Sequence, residues 1–223
     1  MKRYILVALL IIATSVTFAD VAFPTELPNK ELTPDTYSVK EMKYHSTPSY
    51  YFTLTGTNWC LACWFRPSDF GVANNPYRII VIGMMGYSAN GAAKIYVTAQ
   101  ENDSKPRCNP DNSFQYTDFG PLDWHINNTY PNYDDITVYN KNWYYKKTDF
   151  RFWVIYYLPT SPPPYPISDG DDNKDTLTWN PTSHTWIDSI QTYKVDWCMH
   201  VLIEYPPTNI ENTSIGTIRA LFK

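Results

Sequence analysis

Residues 149–159, DFRFWVIYYLP, are an aromatic and β-branched run that contains neither Gly nor Pro until its last position. That composition suits a central β-strand. Successive side chains of a strand point to opposite faces, so Phe150, Phe152, Val154 and Tyr156 share one side and Arg151, Trp153, Ile155 and Tyr157 the other. Both sides are largely apolar and both need cover, which places the strand inside a sandwich or against a partner. Pro159 ends it, having no N–H to give to a ladder.

The remainder of the chain fits a β-protein. Of 223 residues, 17% are aromatic and 18% charged, with 18 Pro and 19 Tyr. A helical protein would be richer in Ala, Leu, Glu and Lys. The expected fold is therefore all-β, an antiparallel β-sandwich of jelly-roll or Greek-key type with little helix. Residues 1–19 carry Lys2 and Arg3, then an apolar run, then small residues up to Ala19, the pattern of a secretory signal peptide. That run is short for a membrane span, so the expected protein is secreted to the exterior or the cell surface, with no membrane segment after cleavage. A formal net charge of −4 and the lack of a Lys/Arg stripe argue against a nucleic-acid partner. Lys141, Lys146 and Lys147 form only a local cluster, read as a solvated strand edge.

Four stretches follow from punctuation and pattern: the leader 1–19, an extended arm 20–48, one sandwich domain 49–207, and a tail or edge strand 208–223. Pro24, Pro28, Pro34 and Pro48 break any period in the arm. Tyr37 to Val39 is briefly strand-like, which raises the alternative of a donor strand for a neighbouring subunit. Strands are expected at 50–55, 58–65, 78–84 and 93–99, joined by connections too short for crossover helices and hence antiparallel. Residues 101–135 read as a packed irregular loop holding Phe114, Tyr116, Phe119, Trp124, Tyr130 and Tyr133. Short strands at 136–139 and 143–146 precede the central one, and an irregular insert at 160–175 follows it. Further strands are expected at 176–179, 185–187 and 196–205. In the last of these, Trp197, Met199, Val201 and Ile203 face one way and Cys198, His200, Leu202 and Glu204 the other, one dry side and one mixed. Residues 215–222 offer a final edge strand of poor pattern, and their lack of a polar ending leaves room for the chain to continue beyond Lys223.

Cys60, Cys63, Cys108 and Cys198 are an even set in an exported chain, so disulfides are expected, with three connectivities open. If 58–65 is a strand, Cys60 and Cys63 point to opposite faces and cannot bond each other without a local turn, so one of them reaches Cys108 or Cys198. Trp59-Cys60-Leu61-Ala62-Cys63 resembles the WCxxC motif of thioredoxin-like redox proteins over five residues. That resemblance implies a helix starting at the first Cys, and Pro67 and Gly71 stand where the helix would run. A zinc site from Cys60, Cys63, Cys198 and His200 is a third reading of the same residues, ranked below disulfides.

Asp169, Asp171, Asn173 and Asp175 alternate as the ligands of a calcium loop do, and resemble the start of an EF-hand. Lys174 stands where that loop wants Gly, and Asn180 where it wants Glu. A solvated acidic turn is thus the favoured reading and a structural calcium the alternative, with no cofactor otherwise expected. His45, His125, His184 and His200 are too scattered to define a triad, and Asp134-Asp135 and Asp171-Asp172 to define a carboxylate pair. Trp124, Trp179 and Trp186 are candidates for stacking on sugar rings; packing in the core is the competing role, favoured for Trp179 and Trp186 as for Trp143.

On the leader, the Phe65-Arg66-Pro67 turn, the Phe152-Trp153-Val154 strand, the Ile167 to Gly170 turn and the Trp186 to Trp197 return, the chain is similar to secreted β-sandwich modules of bacterial surface and extracellular proteins. The resemblance implies a non-catalytic role in adhesion, polysaccharide contact or assembly, and carries over no site residue. The expected function is structural or binding work at the cell surface, with further copies or other surface proteins as partners. A carbohydrate-binding module recognising polysaccharide through loop aromatics is the alternative, and an extracellular hydrolase a further one.

Overall fold

The structure is a computed structural model and describes residues 37–72, 76–86, 91–99, 104–127, 130–146, 151–160, 165–169, 176–189, 192 and 196–206. The leader, residues 20–36 of the arm and the tail 208–223 lie outside the described residues.

The aromatic run forms strand β9 (Phe152–Leu158), and it is central as its composition requires. It lies between β3 (Trp59–Phe65) and β5 (Gly91–Ala99) in a six-stranded sheet. The order continues outward to β11 (Thr176–Asn180) and β12 (Thr185–Asp188) on one flank and to β6 (Phe119–Ile126) on the other. A second, five-stranded sheet has β13 (Met199–Tyr205) between β1 (Ser38–Met42) and β4 (Tyr77–Met84). The far side of β4 is shared by β7 (Asp134–Thr137) and β8 (Trp143–Tyr145). A two-stranded ribbon pairs β2 (Tyr50–Tyr51) with β10 (Ile167–Ser168). Every ladder among these strands is antiparallel. The protein is an all-β sandwich.

The two faces of β9 are covered differently. Phe152, Val154, Tyr156 and Leu158 enter the core between the sheets, against Leu61 and Phe65 of β3 and Ile79, Met84, Val201 and Ile203 of the other layer. Trp153 and Ile155 point outward into a second cluster with Cys60, Tyr96, Trp179 and Trp186, closed by Cys108 and Phe114. Residues 104–118 thus form a third layer on the outer face of the six-stranded sheet. Phe114 stacks on Tyr96 at 3.9 Å and meets Tyr157 at 5.1 Å. A reciprocal cap holds the turn between them and Cys108: Asn109 Oδ1 accepts from the Asn112 N–H at 3.2 Å and Asn112 Oδ1 from the Asn109 N–H at 3.0 Å. Asp118 ends the layer by accepting from the Ala99 N–H and the Tyr145 hydroxyl, one from each sheet.

Three expectations are corrected. Residues 119–126 are a strand rather than part of a long loop; as an edge strand, β6 needs only one ladder and tolerates Pro121. The end of the arm expected at 20–48 belongs to the sandwich itself, because Ser38–Met42 pairs along β13 of its own chain. Only Tyr50–Tyr51 of the strand expected at 50–55 forms a ladder.

Candidate functional site

Across the outer face of the five-stranded sheet, titratable side chains from distant parts of the chain meet over one glycine. His200 of β13 stands opposite Gly83 of β4, and Gly83 stands opposite Asp135 of β7. With no side chain between them, His200 Nε2 reaches Asp135 Oδ1 at 2.7 Å. On the other side, His200 Nδ1 lies 2.7 Å from Oε1 of Glu41 on β1. One imidazole therefore ties β13 to β1 on one side and, across β4, to β7 on the other.

Gly83 is a geometric requirement. A Cβ there would lie 2.1 Å from Asp135 Oδ1 and 2.4 Å from His200 Nε2, closer than any side chain tolerates. Each ring nitrogen thus faces a carboxylate oxygen within hydrogen-bond distance, so the imidazole is clamped from both ends. Tyr133 covers it, its ring stacked on His200 at 3.7 Å and 5°. The imidazole is only 4% exposed, while the Glu41 and Asp135 side chains are 44% and 50% exposed.

A second histidine extends the cluster. His45 Nδ1 donates to the Ser46 carbonyl at 3.0 Å, leaving Nε2 to accept from the Tyr133 hydroxyl. Burial holds the His45 imidazole below its ordinary range, outweighing the pull of the Ser46 carbonyl and of Asp169. Burial, and then the charge of Glu41, pushes the Tyr133 phenol up. Partial burial works against the Glu41 carboxylate, but the His200 hydrogen bond and Lys43 hold it below the usual carboxylate range. Chemically, this arrangement can fix strand positions and respond to protons.

The sequence singles out His45, Tyr133, Asp135 and His200 separately, but nothing in it joins them to one another or points to Glu41. The usable signal was Gly83 itself, an isolated glycine in the apolar run RIIVIGMM, which marks a close approach.

The other sequence candidates are dispersed. Trp179 and Trp186 face each other across β11 and β12, edge to face at 5.6 Å, both buried in the outer cluster, which is the packing role. Trp124 is half-buried against the inter-sheet core. Asp169 is buried and accepts from the Ser46 N–H, while Asp171, Asn173 and Asp175 lie outside the described residues. Among the described residues no three His, Cys, Asp or Glu side chains are gathered to hold a metal. All four cysteines are buried, and the structure holds no disulfide among them. Cys60 and Cys63 occupy opposite faces of β3, as expected of a strand, in the outer cluster and the inter-sheet core respectively. The zinc reading fails on that separation, and on His200, both of whose nitrogens are engaged with carboxylates. The thioredoxin-like reading fails as well, because Cys60 lies within an antiparallel strand rather than at a helix N-terminus.

Compared with known proteins, the chain matches no protein-family description, no curated protein and no solved structure.

Proposed function

We propose that this is an exported, non-enzymatic β-sandwich with a structural or binding role at the cell surface, acting as a subunit that joins a second copy of itself through the β1 edge. The observation that carries the reading is the contrast between that edge and the others. β1 is the outermost strand of the five-stranded sheet among the described residues, and its Val39 is 56% exposed. An unpaired, partly apolar edge is a template for another strand.

Among the described residues, the other edges of the two large sheets are blunted. β6 carries Pro121. β12 is short, and Lys105 Nζ already donates to its Trp186 carbonyl at 3.0 Å. The flank beyond β4 is split between the short strands β7 and β8. Two β1 strands meeting antiparallel about Val39 would set Val39 against Val39, Ser38 against Lys40 and Tyr37 against Glu41. That register is apolar at its centre and free of facing like charges. The Glu41–His200–Asp135 bridge supports the same reading, since it spends its hydrogen bonds on holding β1 in place.

Light scattering on the full chain and on Val39→Lys tests this. A concentration-dependent dimer that the lysine abolishes supports the proposal; a wild-type monomer at every concentration, or a variant that associates unchanged, overturns it.

A further inference from the structure

We propose that Cys60 and Cys108 are joined as a disulfide in the exported protein, pinning residues 104–118 to the outer face of the six-stranded sheet. The inference rests on the export part of the proposed function, because a structural disulfide persists in an oxidising compartment.

The fold reduces the possible pairings. Cys63 faces the inter-sheet core, and Cys198 sits in a separate small cluster with Met85 and Ile167. Cys60 and Cys108 belong to one buried cluster. The segment carrying Cys108 is also anchored on both sides of Cys60. In the ladders, Cys60 stands opposite Tyr157 of β9 and Trp179 of β11. Before Cys108, Lys105 is fastened to Trp186, which packs on Trp179. After it, Phe114 packs on Tyr157. Cys108 is therefore held over the face that carries Cys60, between an anchor on Trp186, beside Trp179, and another on Tyr157.

The oxidant is an external disulfide, such as oxidised glutathione or an oxidised dithiol catalyst. One cysteine thiolate attacks it, forming a mixed disulfide and releasing one reduced thiol. The second thiolate attacks the protein sulfur of that mixed disulfide, the Cys60–Cys108 bond forms, and a second reduced thiol leaves. Two electrons pass to the oxidant, and the two cysteine protons end on the departing thiols. Burial pushes both thiols up, Cys108 to about 12, so thiolate is scarce once the layer has closed. The bond therefore forms while residues 104–118 are still open, and resists reduction afterwards.

The test uses the full chain carrying Cys63→Ala, so that the peptide bearing Cys60 holds a single thiol. It is refolded with oxidised glutathione, denatured, alkylated with and without reductant, and mapped by mass spectrometry. The expected result is a linked Cys60–Cys108 peptide, with Cys198 alkylated in both samples. Cys60→Ser then leaves Cys108 fully alkylated. Alkylation of Cys60 and Cys108 to the same extent with and without reductant, or a link from Cys60 to Cys198, overturns the pairing. Protein isolated from its native source separates the two ideas: a link there supports the proposal, and free thiols there, with the link formed readily in vitro, overturn export rather than the geometry.

Discussion

Replacing Gly83 with Ala asks whether the histidine bridge is built on the absence of one methyl group. The new Cβ would lie within 2.6 Å of three atoms, Asp135 Oδ1, His200 Nε2 and His200 Cδ2. Asp135 is half-exposed and can swing aside, but His200 is enclosed between Tyr133 and the sheet. The charge-assisted hydrogen bond between them is worth roughly 1.5–3 kcal/mol when protected, and the exposure of Asp135 lowers that to about 1–2 kcal/mol. Crowding of the ring adds about 1 kcal/mol. Replacing a strand glycine by alanine returns about 0.5–1 kcal/mol of backbone entropy. The expected balance is a loss of about 2 kcal/mol, a fall of roughly 4–8 °C in Tm for a chain of this size. Thermal or urea unfolding followed by tryptophan fluorescence reads it. In a background carrying both His200→Ala and Asp135→Ala the same substitution is expected to be neutral or stabilising. A single Gly83→Ala variant as stable as wild type would refute the reasoning.

Other outcomes follow from the same geometry. Acid is expected to weaken the fold in two stages. His45 has its folded pKa below the unfolded value of 6.5, so as pH falls through 6.5 the unfolded chain takes up a proton that the folded ring resists, and stability declines. Glu41 has its folded pKa below 4.5, so its contribution is present above that pH and is lost as pH falls through the folded value. Urea midpoints measured across pH are expected to show both steps, and His45→Gln to remove the first. Arg78 and Glu204 form a buried ion pair under the Tyr139 ring, which lies 3.8 Å from the guanidinium carbon. Glu204→Gln, which strands the arginine, is expected to lower stability by about 3 kcal/mol, and Arg78→Met with Glu204→Leu to recover most of it. Trp179→Ala is expected to lower unfolding stability by about 3–5 kcal/mol, the range for a buried tryptophan.

Much of the architecture was written locally. β3, β4, β5, β9 and β13 are runs rich in apolar or aromatic residues, and a strand covered on both faces can hardly be encoded otherwise. β6 was obscured because Gly120, Pro121 and Asp123 are allowed where only one ladder exists, so its pattern looked like a loop. β1 was obscured by the prolines before and after it, although its half-buried and exposed residues alternate as a strand's do. The site was harder to read for a different reason. Glu41, Gly83, Asp135 and His200 become neighbours only through the strand order β1, β13, β4, β7, and no local pattern states that order. Tyr133 and His45 join them from connecting segments with no period of their own.

The most direct test of the proposed assembly is amide hydrogen exchange across residues 38–42, compared at low and high protein concentration. Pairing through β1 predicts slower exchange in that strand as concentration rises, with β6 and β12 unchanged. Equal exchange in β1 at every concentration, or new protection at β6 or β12 instead, would contradict it.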